Sequence, residues 1–255
     1  MDKVETAPGD QALQVDGLRV AFGDFVAIPG LSFLVNFGEV HGVIGPNGAG
    51  KTTLLDAITG KTRPAEGRIL LDRTTDLLAL DEPKRALAGV GRKFQKPSVF
   101  EALSVRENLE LALRLRPRSI LGELRNWGDP RRKARADEVL EEIGLAARAD
   151  TPAGALAHGQ KQWLEIGMLL MQRPKLLMLD EPVAGMTATE TAHTAELIRR
   201  LRSPERAILV IEHDMDFVEE IADRVTVLHG GDPIFEGRMA DARADARVRE
   251  VYLGR

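Results

Sequence analysis

The stretch that most constrains this chain is Gly45-Pro46-Asn47-Gly48-Ala49-Gly50-Lys51-Thr52-Thr53, which fits the pattern G-x-x-x-x-G-K-[ST]. Val40 to Ile44 before it reads as a strand. Lys51 to Thr59 after it reads as a helix, with Leu54, Leu55 and Ile58 on one face and Gly60 as the stop. Strand, glycine-rich loop and helix in that order suit a phosphate. Glycines let backbone N–H groups turn toward anionic oxygens, and a helix N-terminus favours negative charge. Lys51 brings an ammonium to the β- and γ-phosphates of a nucleotide, and the Thr52 hydroxyl can ligate Mg²⁺. A glycine-rich turn that binds nothing would not need a strand before it and a helix after it. The loop leaves open which nucleotide-driven machine it serves.

The rest of the chain supplies a sheet for this loop to sit on. Leu13 to Phe22, Leu31 to Phe37 and Gly67 to Asp72 read as strands of a partly antiparallel sheet, and Val90 to Phe94 as a further short strand. From Ser98 to Met171 the pattern is helical. Ser104-Val105-Arg106-Glu107 is a capping box, Arg131 to Ile143 is a second helix and Gly159 to Met171 a third. Strand–helix alternation then returns. Leu176 to Leu179 and Ala207 to Ile211 are continuous apolar runs of the kind buried on both faces. Thr187 and Asp214 cap helices, Val225 to Phe235 forms a hairpin and a short helix closes the chain. The expected fold class is α/β: a phosphate-loop nucleotide hydrolase core with a mainly parallel sheet, an antiparallel β-subdomain and an inserted helical subdomain. The expected boundaries within one domain, 1–255, are 13–96 and 172–255 for the core and 97–171 for the helical part.

Composition excludes several other classes. The chain has 255 residues, 44% of them hydrophobic, and a formal net charge of -4, so no global basic charge points to nucleic acid. Cysteine is absent, which rules out disulfides, thiol catalysis and thiolate metal sites. No run reaches the roughly 18 apolar residues a membrane span needs, and no apolar signal-like run follows Met1 to Glu5. Any work at a membrane is therefore expected from outside the bilayer. The basic residues Arg114, Arg116, Arg118, Arg125, Arg131, Arg132, Lys133 and Arg135 of the helical block read as a solvated face, with anionic lipid head groups as the alternative.

Further residues carry chemistry. Asp180-Glu181-Pro182 ends a buried strand, where α/β sheets bind ligands; Asp180 suits a Mg²⁺ shell and Glu181 suits the activation of a water. Leu156-Ala157-His158-Gly159-Gln160 opens a helix whose N-terminus could face an anion. Gln95 ends a strand, within reach of a cation or a lytic water if it is not simply a solvated residue. His213 follows a buried strand, where a lone histidine is more often a structural hydrogen-bonder. Phe22 is either core or a stacking platform.

In this order the pieces resemble the ATP-binding subunit of ATP-binding cassette (ABC) proteins, over about Leu13 to Arg255. The resemblance implies that Phe22 packs on adenine and that Gly45, Pro46, Asn47, Gly48, Ala49, Gly50, Lys51, Thr52 and Thr53 hold the phosphates. It also implies that Thr52, Gln95 and Asp180 attend Mg²⁺, that Glu181 is the catalytic base and that His213 contacts the γ-phosphate. Ala157, His158, Gly159 and Gln160 stand at the family signature, usually Leu-Ser-Gly-Gly-Gln, and would close on the ATP of a second subunit. Ala157 lacks the serine hydroxyl, and Thr187 stands where Asp is common. The run Leu156 to Leu170, with Phe94 to Phe100, Pro182 to Thr187 and Glu250 to Arg255, is similar to the branched-chain amino-acid and amide importers, the urea-type subunit in particular. The implied partners are a second ATPase subunit (homo- or heterodimer), transmembrane permease subunits and, indirectly, a solute-binding protein, with no nucleic acid. The implied place is the cytoplasmic side of the inner membrane, as a peripheral subunit. The alternatives are a non-transport ABC ATPase, which usually carries tandem cassettes or long coiled coils, and a regulatory cassette with weak hydrolysis, which Ala157 motivates.

Overall fold

The computed structural model describes residues 11–93, 98–113 and 130–253. Among them, the strands form two sheets. The first has the order β2-β1-β4-β5 and is antiparallel. It comprises β1 (Gln11–Phe22), β2 (Phe25–Asn36), β4 (Glu66–Leu71) and β5 (Thr75–Asp76). The second has the order β10-β9-β3-β8-β7-β6. It comprises β3 (Val40–Ile44), β6 (Val90–Lys93), β7 (Leu176–Asp180), β8 (Ala207–Glu212), β9 (Arg224–His229) and β10 (Asp232–Gly237). Strands β7, β8, β3 and β9 run parallel, and β10 returns antiparallel to β9. Every residue of β3, β7 and β8 is buried, because helices cover parallel sheets on both faces.

One apolar core joins the two sheets. It brings Leu13, Leu18, Ile28, Leu31, Ile69 and Leu71 of the antiparallel sheet against Val43, Met178 and Leu209 of the parallel one. Helix α1 (Lys51–Thr59) contributes Leu54, Leu55 and Ile58 to the same core. A second cluster, with Ile44, Val218, Val225, Val227, Met239 and Val248, involves α7 (Met215–Ile221), α8 (Met239–Ala244) and α9 (Ala246–Leu253).

The chain divides into two compact units. One comprises the residues up to Arg92, Lys175–Glu181 and the residues from Arg202 onward. The other comprises Lys93–Pro174 and Pro182–Leu201. The second unit holds α3 (Val105–Ala112), α4 (Pro130–Glu142), α5 (His158–Leu170) and α6 (Ala188–Arg200). Helix α3 starts at the full capping box of Ser104 and Glu107, and α6 at that of Thr187 and Glu190. Gly167 lets α5 pack closely on its neighbours. A Cβ there would stand 2.7 Å from Ile143, 3.0 Å from Leu109 and 3.2 Å from Val139.

The structure departs from the sequence reading in places. Strand β2 begins at Phe25 instead of Leu31. Pro29 obscured its first half, yet β2 is an edge strand, where the missing N–H does no harm. Helix α2 (Glu82–Ala88) escaped the apolar pattern because Leu87 is exposed. Its Asp81 cap, Pro83 in the first turn and Gly89 after the last were nonetheless present as local signals. Of the basic block, Arg132 is buried and donates to the Glu110 carbonyl, while Arg135 donates to that of Leu170 at 2.7 Å. These two hold helices together and are not part of a solvated face.

Candidate functional site

Register places the functional strand ends along one edge of the parallel sheet. Ile44 of β3 pairs with Glu212 of β8, and Asp180 of β7 pairs with Ile211. The loop from Gly45, the Glu181 turn and the His213 turn therefore leave neighbouring parallel strands at their carboxyl ends, where α/β sheets bind ligands.

The loop is held tightly. A Cβ on Gly45 would come 2.3 Å from the Leu228 carbonyl oxygen, so only glycine fits. Gly50 precedes α1 with φ +97, a left-handed conformation that glycine adopts without penalty. Ala49 N donates to the Pro46 carbonyl and Gly231 N to the Ala49 carbonyl. Lys51 is buried, and its Nζ donates to the Gly45 carbonyl at 2.6 Å and the Pro46 carbonyl at 3.0 Å. Burial pushes the Lys51 ammonium below the ordinary lysine range, and the charges of Glu181, Asp180 and Glu212 oppose that shift. One lysine thus stands in the field of these three acids at the sheet edge. Thr52 and Thr53 begin α1, with Thr52 exposed.

Asp180 is 3% exposed and receives a hydrogen bond from Arg92 Nη2 to its Oδ2 at 2.9 Å. Glu181 follows in a left-handed conformation, φ +47, which is costly for a residue with a side chain and recurs at functional sites. Its amide donates to the Ile211 carbonyl at 2.9 Å, and this bond fixes the turn. The Glu181 side chain is half-buried, with Oε1 3.8 Å from His213 Nδ1. The His213 ring is 62% exposed, and its backbone N donates to Glu212 Oε2 at 3.0 Å. An oxygen-donor set of a threonine hydroxyl and a buried carboxylate suits a hard divalent cation such as Mg²⁺.

Phe22 ends β1 and pairs with Phe25 across the Gly23–Asp24 turn; both rings are exposed. Gln95 lies outside the described residues. The Ala157–Gln160 segment belongs to the other unit and opens α5. Gln160 Oε1 accepts from Ala157 N at 3.1 Å, but the Ala157 methyl cannot accept in return, so only half of a capping box forms. Glu190 takes the neighbouring donor instead: its Oε1 accepts from Gly159 N at 3.2 Å and its Oε2 from Thr187 N at 2.9 Å. His158 Nε2 lies 3.2 Å from Gln162 Nε2.

The sequence assigns no site role to Arg92, Glu190 or Glu212. Glu212 carried one usable signal, a carboxylate directly after a buried apolar run, as at Asp180. Glu190 was visible only as the last residue of a capping box. Arg92 carried no local signal.

A family model described as "ABC transporter" matches residues 28–184. The high-affinity branched-chain amino acid transport ATP-binding protein BraF of Pseudomonas aeruginosa is 38% identical over 249 residues, which is 95% of this chain and 97% of that protein. LivG of Escherichia coli, a protein of the same description, is also 38% identical over the same coverage. Among solved structures, the ADP conformation of MJ1267, an ATP-binding cassette of an ABC transporter, superposes with a TM-score of 0.83. It is 31% identical, covering 96% of this chain and 99% of that one. The chain is an ATPase of the ABC transporter family.

Proposed function

We propose that this chain is the ATP-hydrolysing subunit of an importer that takes up a branched-chain amino acid, urea or a short amide through separate transmembrane subunits. The solute class is supported by the relatives, which are named for branched-chain amino acid transport, and by the signature-region resemblance to amide importers. Among the described residues no helix is long and apolar enough to cross a membrane; in this reading separate transmembrane subunits carry the solute path. In this reading the chain sits peripherally on the cytoplasmic side of the inner membrane, and a solute-binding protein delivers the cargo.

The observation that carries the reading is the approach of Glu181 to within 3.8 Å of His213 at the sheet edge that also holds Lys51. ATP binds with its phosphates on the Gly45–Thr53 loop and its adenine on Phe22. Thr52, Asp180 and Gln95 would hold Mg²⁺, which when bound neutralises phosphate charge. Glu181 orients a water and takes its proton as the water oxygen bonds to the γ-phosphorus and the bond to the ADP oxygen breaks. His213 contacts the γ-phosphate and orients the water, with its Nδ1 3.8 Å from Glu181 Oε1. Ala157, His158, Gly159 and Gln160 act on the ATP of a second subunit, so ATP drives dimerisation and hydrolysis resets it.

The test is Glu181→Gln. Turnover should fall roughly 10²–10⁴-fold, the worth of a general base, while ATP binding persists. Near-normal turnover would sink the assignment. Ala157 favours a weaker second reading, a regulatory cassette that binds ATP and turns over slowly, because its half-site offers no serine hydroxyl.

A further inference from the structure

Arg92 joins elements that sequence distance keeps far apart. It lies in β6, which neighbours β7 in the sheet. Its side chain is 5% exposed. Nη2 donates to Asp180 Oδ2 at 2.9 Å, and Nη1 donates to Asp56 Oδ1. Asp56 belongs to α1, the helix that the phosphate loop opens, and stands four residues after Thr52. Residues at that spacing share one face of a helix, a turn apart. The guanidinium fork therefore connects the face of α1 that carries Thr52 with the end of β7 that carries Asp180. A planar fork with donors on two nitrogens can hold two carboxylates in fixed relation, which a lysine ammonium on a flexible stem does not do.

We infer that Arg92 is a positioning residue for the cation site: it braces Asp180 against α1, so that Asp180 and Thr52 keep the spacing Mg²⁺ demands. The inference rests on the reading of Thr52 and Asp180 as the Mg²⁺ contacts. Mg²⁺ tolerates little departure from ideal octahedral geometry, so a brace on its ligands matters more than it would for a looser ion. Partners that orient metal ligands typically carry 10–100-fold in metal affinity.

The experiment measures binding of a fluorescent ATP analogue to the purified chain, in EDTA and across a Mg²⁺ titration. It compares the wild type with Arg92→Lys, Asp56→Asn and Asp180→Asn. Arg92→Lys should raise the Mg²⁺ concentration for half-maximal enhancement about tenfold, and leave affinity in EDTA close to wild type. Asp56→Asn, which keeps the Arg92–Asp180 bond, should shift it in the same direction by less. If Arg92→Lys does not fold, Asp56→Asn carries the test by itself. Wild-type Mg²⁺ dependence in the folded variants, or equal losses with and without Mg²⁺, would overturn the brace. If Mg²⁺ fails to enhance binding in the wild type, or Asp180→Asn keeps the full enhancement, the Mg²⁺ reading itself fails, a result distinct from failure of the brace.

Discussion

Glu39 makes the stability of the strand that feeds the phosphate loop depend on pH. It is 9% exposed, directly before β3. Its Oε1 lies 3.1 Å from His41 Nδ1 and 3.0 Å from Arg224 Nε, and its Oε2 accepts from Asn36 N at 2.9 Å. Burial alone would raise its pKa. The hydrogen bond and charge interaction with His41, then the Asn36 hydrogen bond and the Arg224 charge, together outweigh burial and hold it down to about 2, against an ordinary 4.5. Folded Glu39 thus binds its proton more weakly than unfolded Glu39. Its contribution is fully present above pH 4.5 and is lost as pH falls toward 2. The gap is worth about 3 kcal/mol in all, at about 1.4 kcal/mol per pH unit. Glu39→Gln keeps the size and one acceptor but removes the charge facing Arg224. At pH 7 it should lower stability by about 2–3 kcal/mol, or roughly 4–12 °C in melting temperature for a chain of this length. Urea unfolding of both proteins from pH 7 to pH 3 is the assay. The two curves should converge as pH falls below 4.5, because the wild type loses what the variant never had. A constant offset between them, or a loss under about 0.5 kcal/mol at pH 7, would refute the reasoning.

Two further outcomes follow from helix ends. Arg85 is buried and donates to the carbonyls of Ala57 at 2.6 Å, Ile58 at 3.0 Å and Leu80 at 2.9 Å. It thereby places a cation on the C-terminus of α1. Arg85→Ala should cost about 3 kcal/mol in urea unfolding, since charged hydrogen bonds and the helix dipole both go. Ala157→Ser should raise stability by about 1 kcal/mol by completing the α5 cap, and in the assembled transporter it should raise ATP turnover. Unchanged turnover would remove Ala157 as a cause of weak hydrolysis.

Much of the fold was legible locally. The helix over Lys51–Thr59 and the strand over Val40–Ile44 have the ends their apolar periods and flanking glycines predict. The capping boxes at Ser104 and Thr187 open helices where they stand. Pro29 hid half of β2, since local reasoning treats proline as a break and cannot see that this strand has a free edge.

The phosphate loop with its strand and helix, and the apolar runs that must lie within a sheet, are readable from the residues alone. These depend on residues within a few positions of one another, where period, capping and backbone freedom act directly. What surrounds the acids at the strand ends depends on how the sheet is ordered and packed. Glu181 and His213 come within 3.8 Å because β7 and β8 are parallel neighbours. Arg92 reaches Asp56 across 36 positions and Asp180 across 88. No local period encodes pairs at such separations, because they arise when sheet order and helix packing bring side chains together from anywhere in the chain.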